Sequence, residues 1–166
     1  LKETISDITY RSVSYVYCLK IPATSYKEFV KTNHLFKKIE VLRANQAFLN
    51  QHILFKDSIS AAVSNRISTH MQLKHYHNNE LLEESDKQKL YILKSGSIEI
   101  SGESTVVKTL QEGDFFYYES LINEQQDSIS VRVIKRASVY EIDHFILKEI
   151  PIILWKLMEV YNKQKL

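Results

Sequence analysis

Leu90-Tyr-Ile-Leu-Lys-Ser-Gly96-Ser-Ile-Glu-Ile100 is the stretch that decides the fold. Its first four residues are apolar and favour a strand, and Gly96 supplies the positive φ of a turn that follows it. The same texture continues on both sides. Leu73, Tyr76 and Leu81-Leu82 precede it; Val106-Val107, Phe115-Phe116 and Val139-Tyr-Glu-Ile-Asp143 follow. Asn78-Asn79, Glu84-Ser-Asp-Lys87 and Glu112-Gly113 separate these segments. Short strands at near-regular intervals, with turn residues between them, predict an antiparallel β-roll of the jelly-roll kind over residues 73–143. Leu90, Ile92, Ile98, Ile100, Val131 and Val139 are its expected inward-facing residues.

Helices are expected on both flanks, which makes the chain mainly β with flanking helices. From Tyr26 to Phe55 apolar residues recur at three-to-four spacing, the period of two helices with a break between them. Asp57 or Ser58 is the expected N-cap of a further helix, with Ile59, Ala62, Val63, Ile67 and Met71 inside. Residues 30–72 thus read as linker and N-terminal helices, and 144–166 as a C-terminal helix whose body Pro151 opens. Leu154, Trp155, Met158 and Tyr161 form the expected apolar stripe of that helix.

The composition is that of an ordinary globular protein: 166 residues, 44% hydrophobic, 25% charged, net charge +2. Both signs of charge are interspersed, so no basic stripe points to nucleic acid. No apolar run reaches the ~20 residues of a membrane span. The one cysteine, Cys18, excludes an internal disulfide framework and suits a reducing, cytoplasmic setting.

Three short motifs, in order, give the roll a likeness. Tyr76-His-Asn-Asn79-Glu80, Leu90 to Gly96, and Gly113-Asp-Phe-Phe116 are followed by Ser120-Leu-Ile and a closing helix. In this order and spacing they resemble the cyclic nucleotide-binding domain family, with Asn79 where that family usually carries Gly. Asn is the non-glycine residue that best tolerates positive φ, so the turn survives the exchange. The resemblance implies a pocket cassette over Gly113, Phe116, Tyr117, Tyr118, Glu119, Ser120, Leu121, Asp127 and Ser128. It also implies a ligand, cAMP or cGMP, and a lid from the last helix, Trp155 or Tyr161.

The cassette departs from the family's pattern. Where the family has Gly, Glu and, further on, Arg, this chain has Tyr117, Tyr118 and Asp127. The resemblance assigns backbone contact with the phosphate to the Gly, the ribose hydroxyl to the Glu and the phosphate charge to the Arg. A Tyr ring fills space where backbone must approach, and a β-carbon is costly at positive φ. Loss of a bidentate, charge-assisted partner removes a few kcal/mol. Asp127 adds repulsion against a phosphodiester. No cofactor is therefore expected.

Other chemistry is sparse. His75, His77 and Glu80 have a spacing that suits a metal-binding cupin, since alternate residues of a strand share a face. No third histidine occurs in a matching second motif, and no nucleophile elbow or phosphate loop appears. The chain is not read as an enzyme. Laid on itself at an offset of 121, Ile8-Thr-Tyr-Arg11 faces Ile129-Ser-Val-Arg132, Lys20-Ile21 faces Glu141-Ile142, and Lys27-Glu28 faces Lys148-Glu149. Residues 1–29 are accordingly expected to be the closing strands of a preceding, incomplete module of the same type, with strands over residues 8–21.

The expected function is a regulatory or scaffolding module in a larger multidomain protein, with cAMP and cGMP binding lost or weak. Its expected partners are neighbouring domains or a second copy of itself, not nucleic acid and not a membrane interior. A working cAMP or cGMP sensor with a divergent pocket is the alternative, and a metal-binding cupin the second.

Overall fold

The computed structural model describes residues 11–82, 88–102, 107–122 and 129–164. The chain divides into two compact units, Leu1–Val41 and Leu42–Leu166. In the first, residues 11–22 form no strand and their side chains are exposed. The strand expected at 8–21 is thus absent wherever it is described. High β-propensity does not make a ladder without a partner edge, because the propensity is mostly cross-strand packing. The helix α1 (Ala23–Thr32) follows, opened by Pro22, and α2 (Phe36–Leu49) carries the chain into the second unit.

Two helices at 23–49 with a break between them match the expected pair. The next helix, α3 (Ala61–His70), starts later than the sequence suggested. Its cap is Ser60, whose hydroxyl accepts the Val63 amide at 3.3 Å, and neither Asp57 nor Ser58 takes that role. Asp57 instead sits at a φ of 58° in the preceding turn. Buried Asn45 of α2 donates to the carbonyls of Ser68 and Met71, each at 3.0 Å, and so satisfies the end of α3.

The roll is a six-stranded sheet: β1 (Gln72–Tyr76), β2 (Leu81–Leu82), β3 (Lys89–Gly102), β4 (Val107–Leu110), β5 (Phe115–Phe116) and β6 (Ile129–Asp143). All pairings are antiparallel. The long strand β6 bonds β1 and β2 along one edge and β3 along the other, and β3 in turn bonds β4 and β5. After the one-turn helix α4 (Glu119–Ile122) and β6 come α5 (His144–Lys148) and α6 (Pro151–Gln164). Pro151 opens the main C-terminal helix as expected, since its missing N–H is one of the helix's unbonded donors.

Leu90 to Ile100 differs from expectation in an instructive way. Gly96 does not end a strand. It sits at φ 99° inside one continuous strand, where the β3–β6 register shifts three times between Leu93 and Ile98. A β-carbon on Gly96 would stand 2.4 Å from the Arg136 carbonyl oxygen, so only glycine fits this bulge.

The bulge also changes which face each residue serves. Leu90 and Ile92 pack outward with Ile67, Ile146 and Leu157 from the helices and with Phe55 from the segment after α2. Tyr91 and Leu93 face the inside of the roll, and Ile98 joins them there despite its even number. Both faces are covered, so the expected single inward row is two rows, with Ile100 half-buried. Each fully buried Leu or Ile of these rows contributes about 1.5–3 kcal/mol.

The stripe expected on α6 is rotated. Ile153 and Leu157 are its buried residues, flanked by Leu154, Val160 and Tyr161, whereas Trp155 is 60% exposed and Met158 48%.

Candidate ligand-binding cassette

The cassette begins at the turn before β5. Gly113 adopts φ 89°, its amide donates to the Leu93 carbonyl, and the Asp114 carbonyl accepts the Leu93 amide, each at 2.8 Å. The Asp114 carboxylate closes the turn by accepting the Gln111 amide at 2.8 Å. The two residues of β5 then pair with Tyr91 and Ile92 of β3.

His52, from the segment after α2, fixes this turn from outside. Its Nδ1 accepts the Leu54 amide, so Nε2 carries the proton and donates to the Gly113 carbonyl at 2.9 Å. The ring lies among Phe48, Phe55 and Phe115. Burial lowers its pKa below the usual histidine value, with the Gly113 bond acting the other way.

Tyr117 follows β5 in a left-handed conformation, φ 59°. A tyrosine there costs roughly 1–2 kcal/mol relative to an extended backbone. Its ring turns into the roll, only 5% exposed, edge-on to Tyr91 at 5.5 Å and tilted against Phe116 at 5.3 Å. Tyr118 points the opposite way, into the helix-side core, edge-on to Phe115 at 5.3 Å. Burial raises its pKa, and nearby Glu119 and Tyr161 push it in the same direction. Adjacent tyrosines thus serve opposite faces of the sheet.

The exit of the cassette is held by His144, the first residue of α5. Its Nε2 donates to the Tyr117 carbonyl at 3.1 Å, and its Nδ1 lies 3.4 Å from the Ser120 hydroxyl. That hydroxyl is also 3.4 Å from the Tyr117 carbonyl. Burial takes the His144 pKa down to about 4; the Tyr117 bond opposes this and Lys148 adds to it. Glu119 and Ser120 open α4, and Leu121 buries its side chain in the helix-side core.

A third buried polar group lies on the same rung of the sheet. Gln72, Glu141, Tyr91 and Phe116 are consecutive cross-strand partners. Glu141, 2% exposed, accepts the Tyr76 hydroxyl at 2.9 Å and pairs with Lys74 at 3.0 Å and Lys89 at 3.2 Å. Its charge is therefore matched within the sheet.

Of the expected site, Gly113, Phe116, Tyr117, Tyr118, Glu119, Ser120 and Leu121 run from the turn before β5, through β5, into α4. Asp127 and Ser128 lie outside the described residues. Neither lid residue joins the inner cluster: Trp155 is largely in solvent and Tyr161 packs on the helix side. The metal candidates have other tasks. His75 Nδ1 is 2.9 Å from the Ser138 hydroxyl, and the Glu80 carboxylate accepts the His77 amide at 2.7 Å, closing its own turn. Among the described residues no three metal-binding side chains converge.

Asn79 sits at φ 64°, as the exchange for Gly required. Its amide donates to the Val133 carbonyl at 2.7 Å. No motif in the sequence marks His52, His144 or Glu141 as parts of this neighbourhood. Their bonds span tens of residues, and the only local signal was a polar residue set in an apolar run.

An antiparallel roll followed by a short helix and a C-terminal helix defines the class of β-roll modules. Residues 73–150 match the family model of the cyclic nucleotide-binding domain. Solved structures agree on the fold. The regulatory domain of protein kinase A from Toxoplasma gondii, crystallised with cAMP, is similar with a TM-score of 0.65 and 16% identity; the match covers 76% of this chain and 51% of that one. A cyclic nucleotide-binding protein from Geobacter metallireducens gives 0.61 and 20%, covering 69% and 92%. The regulatory subunit of a cAMP-independent protein kinase A from Trypanosoma brucei gives 0.63 and 10%, covering 78% and 50%. This chain thus spans about half the length of the kinase regulatory structures. Comparison with curated proteins returned no match.

Proposed function

We propose that this chain is a non-catalytic regulatory or scaffolding module of a larger cytoplasmic protein, and that its own Tyr117 ring stands where the family holds a cyclic nucleotide. The observation that carries the reading is the Tyr117 conformation. A left-handed backbone, a ring inside the roll and a carbonyl bonded to His144 support that reading. The sequence supports this from the other side, because Asp127 offers a phosphodiester repulsion where an arginine would offer a bidentate bond. That a protein of this fold is described as cAMP-independent is consistent with such a role. The module then acts through its surfaces, on neighbouring domains or on a second copy.

Isothermal titration with cAMP and cGMP tests the reading. The unaltered chain should bind either one more weakly than about 1 μM, some −8 kcal/mol. The combined variant Tyr117→Gly, Tyr118→Glu, Asp127→Arg should bind at least about tenfold more tightly, and Asp127→Arg alone should gain less. A submicromolar dissociation constant for the unaltered chain defeats the proposal and favours a working sensor with a divergent pocket.

A further inference from the structure

Residues 12–21 combine three features that belong to a central strand. The first is apolar patterning on both faces: Val13, Tyr15, Tyr17, Leu19 and Ile21 fall on one and Val16 and Cys18 on the other, as in a strand covered on two sides. The second is exposure. Val13, Tyr15 and Tyr17 are fully open to solvent and Leu19 nearly so, and among the described residues ten of the 17 exposed large hydrophobic ones fall between 13 and 41. So much apolar surface on one short stretch marks a contact face.

The third feature is the match to β6. At the offset of 121, residues 8–22 fall on Ile129–Asp143, which is the full extent of β6. The next residue begins a helix in both places: Ala23 opens α1 and His144 opens α5. Five identities between 8 and 29 now coincide with the same helix start, which the sequence alone did not contain. In β6 both edges are bonded, β1 and β2 on one side and β3 on the other, and Val139 to Ile142 are buried on both faces, whereas Ser130, Arg132, Ile134 and Arg136 are exposed. Cys18 falls on Val139, Leu19 on Tyr140 and Ile21 on Ile142, and all three counterparts are buried.

We infer that residues 11–22 belong to the last strand of a second β-roll of the same kind, encoded upstream in the same polypeptide. The strand lies in that roll between two neighbours, as β6 does here. Its occupant is thereby specified: a sheet with open edges on both sides of a vacant central position, apolar on both faces. The inference is independent of whether any nucleotide binds.

Cys18 provides the readout, because it is exposed in this chain and its counterpart Val139 is fully buried. Alkylation of Cys18 would be followed by mass spectrometry in the 166-residue chain and in the full-length native polypeptide. It should be fast in the first and slower in the second by on the order of 100-fold or more, as for a thiol exposed only by local opening. Leu19→Lys should lower the melting temperature of the full-length protein and leave that of the 166-residue chain unchanged. Equal alkylation rates in both proteins would overturn the inference, as would a native polypeptide lacking roughly 100 residues upstream, the least a domain needs. Concentration-dependent protection in the 166-residue chain would also overturn it, since the partner would then be a second copy.

Discussion

Replacing Tyr117 separates two effects that usually act together, loss of packing and release of backbone strain. Tyr117→Ala removes a ring buried against Tyr91 and Phe116, a loss of about 3–5 kcal/mol. The alanine keeps a β-carbon at φ 59°, so the left-handed cost of about 1–2 kcal/mol remains. Tyr117→Gly loses the same ring but releases that strain, against an entropic penalty of about 0.5–1 kcal/mol. The glycine variant should therefore be at least as stable as the alanine variant, by up to about 1 kcal/mol. The usual order is the reverse. Ala62→Gly, on the exposed side of α3, is the control and should cost about 1 kcal/mol. Urea denaturation monitored by circular dichroism measures all three, compared at constant m-value. If Tyr117→Ala proved more stable than Tyr117→Gly by 0.5 kcal/mol or more, the left-handed assignment, and with it the inward ring, would be wrong.

Gly96→Ala should destabilise the roll by about 2–4 kcal/mol, since it combines a clash with the Arg136 carbonyl and a β-carbon at positive φ; thermal melting checks it, and a change below 1 kcal/mol would show that the bulge can relax. His144 should make the fold acid-labile. Its pKa is about 4 in the fold against 6.5 unfolded, so below pH 6.5 the unfolded chain takes up a proton that the folded one refuses. Stability contributed by the neutral ring is complete above 6.5, falls as the pH drops, and levels off below 4 after a loss of about 3 kcal/mol. His52 titrates in the same sense. Urea midpoints between pH 7.5 and 4.5 should fall less steeply in His144→Gln; an unchanged slope would show that other groups carry the acid sensitivity.

Local backbone demands were legible in the sequence, and long-range ones were not. Asn79 at a glycine position, Gly96, Gly113 and the cost of Tyr117 at positive φ all follow from the residue and its neighbours. The two-faced burial of β3 did not, because the bulge at Gly96 shifts the alternation by one residue and moves Ile98 to the face opposite Ile92. Residues 11–21 read as strand from propensity, yet a ladder also needs an edge to bond, which no single segment contains. Spacing alone draws the α6 stripe through Leu154, Trp155, Met158 and Tyr161, whereas packing selects Ile153 and Leu157. His52 and His144 escaped notice because what they do is bond carbonyls 61 and 27 residues away.

A side chain inside the roll differs from a diffusible messenger in that it has no concentration. A messenger sets occupancy by its ratio to a dissociation constant, and occupancy decays when synthesis stops. Tyr117 is supplied once per molecule at translation and has no route of departure other than opening of the chain that carries it. A module built this way would hold one setting for its lifetime, and a cell could change the amount of that setting only by making or degrading the protein. Any faster control would have to act from outside the roll, on the surfaces by which it meets its neighbours.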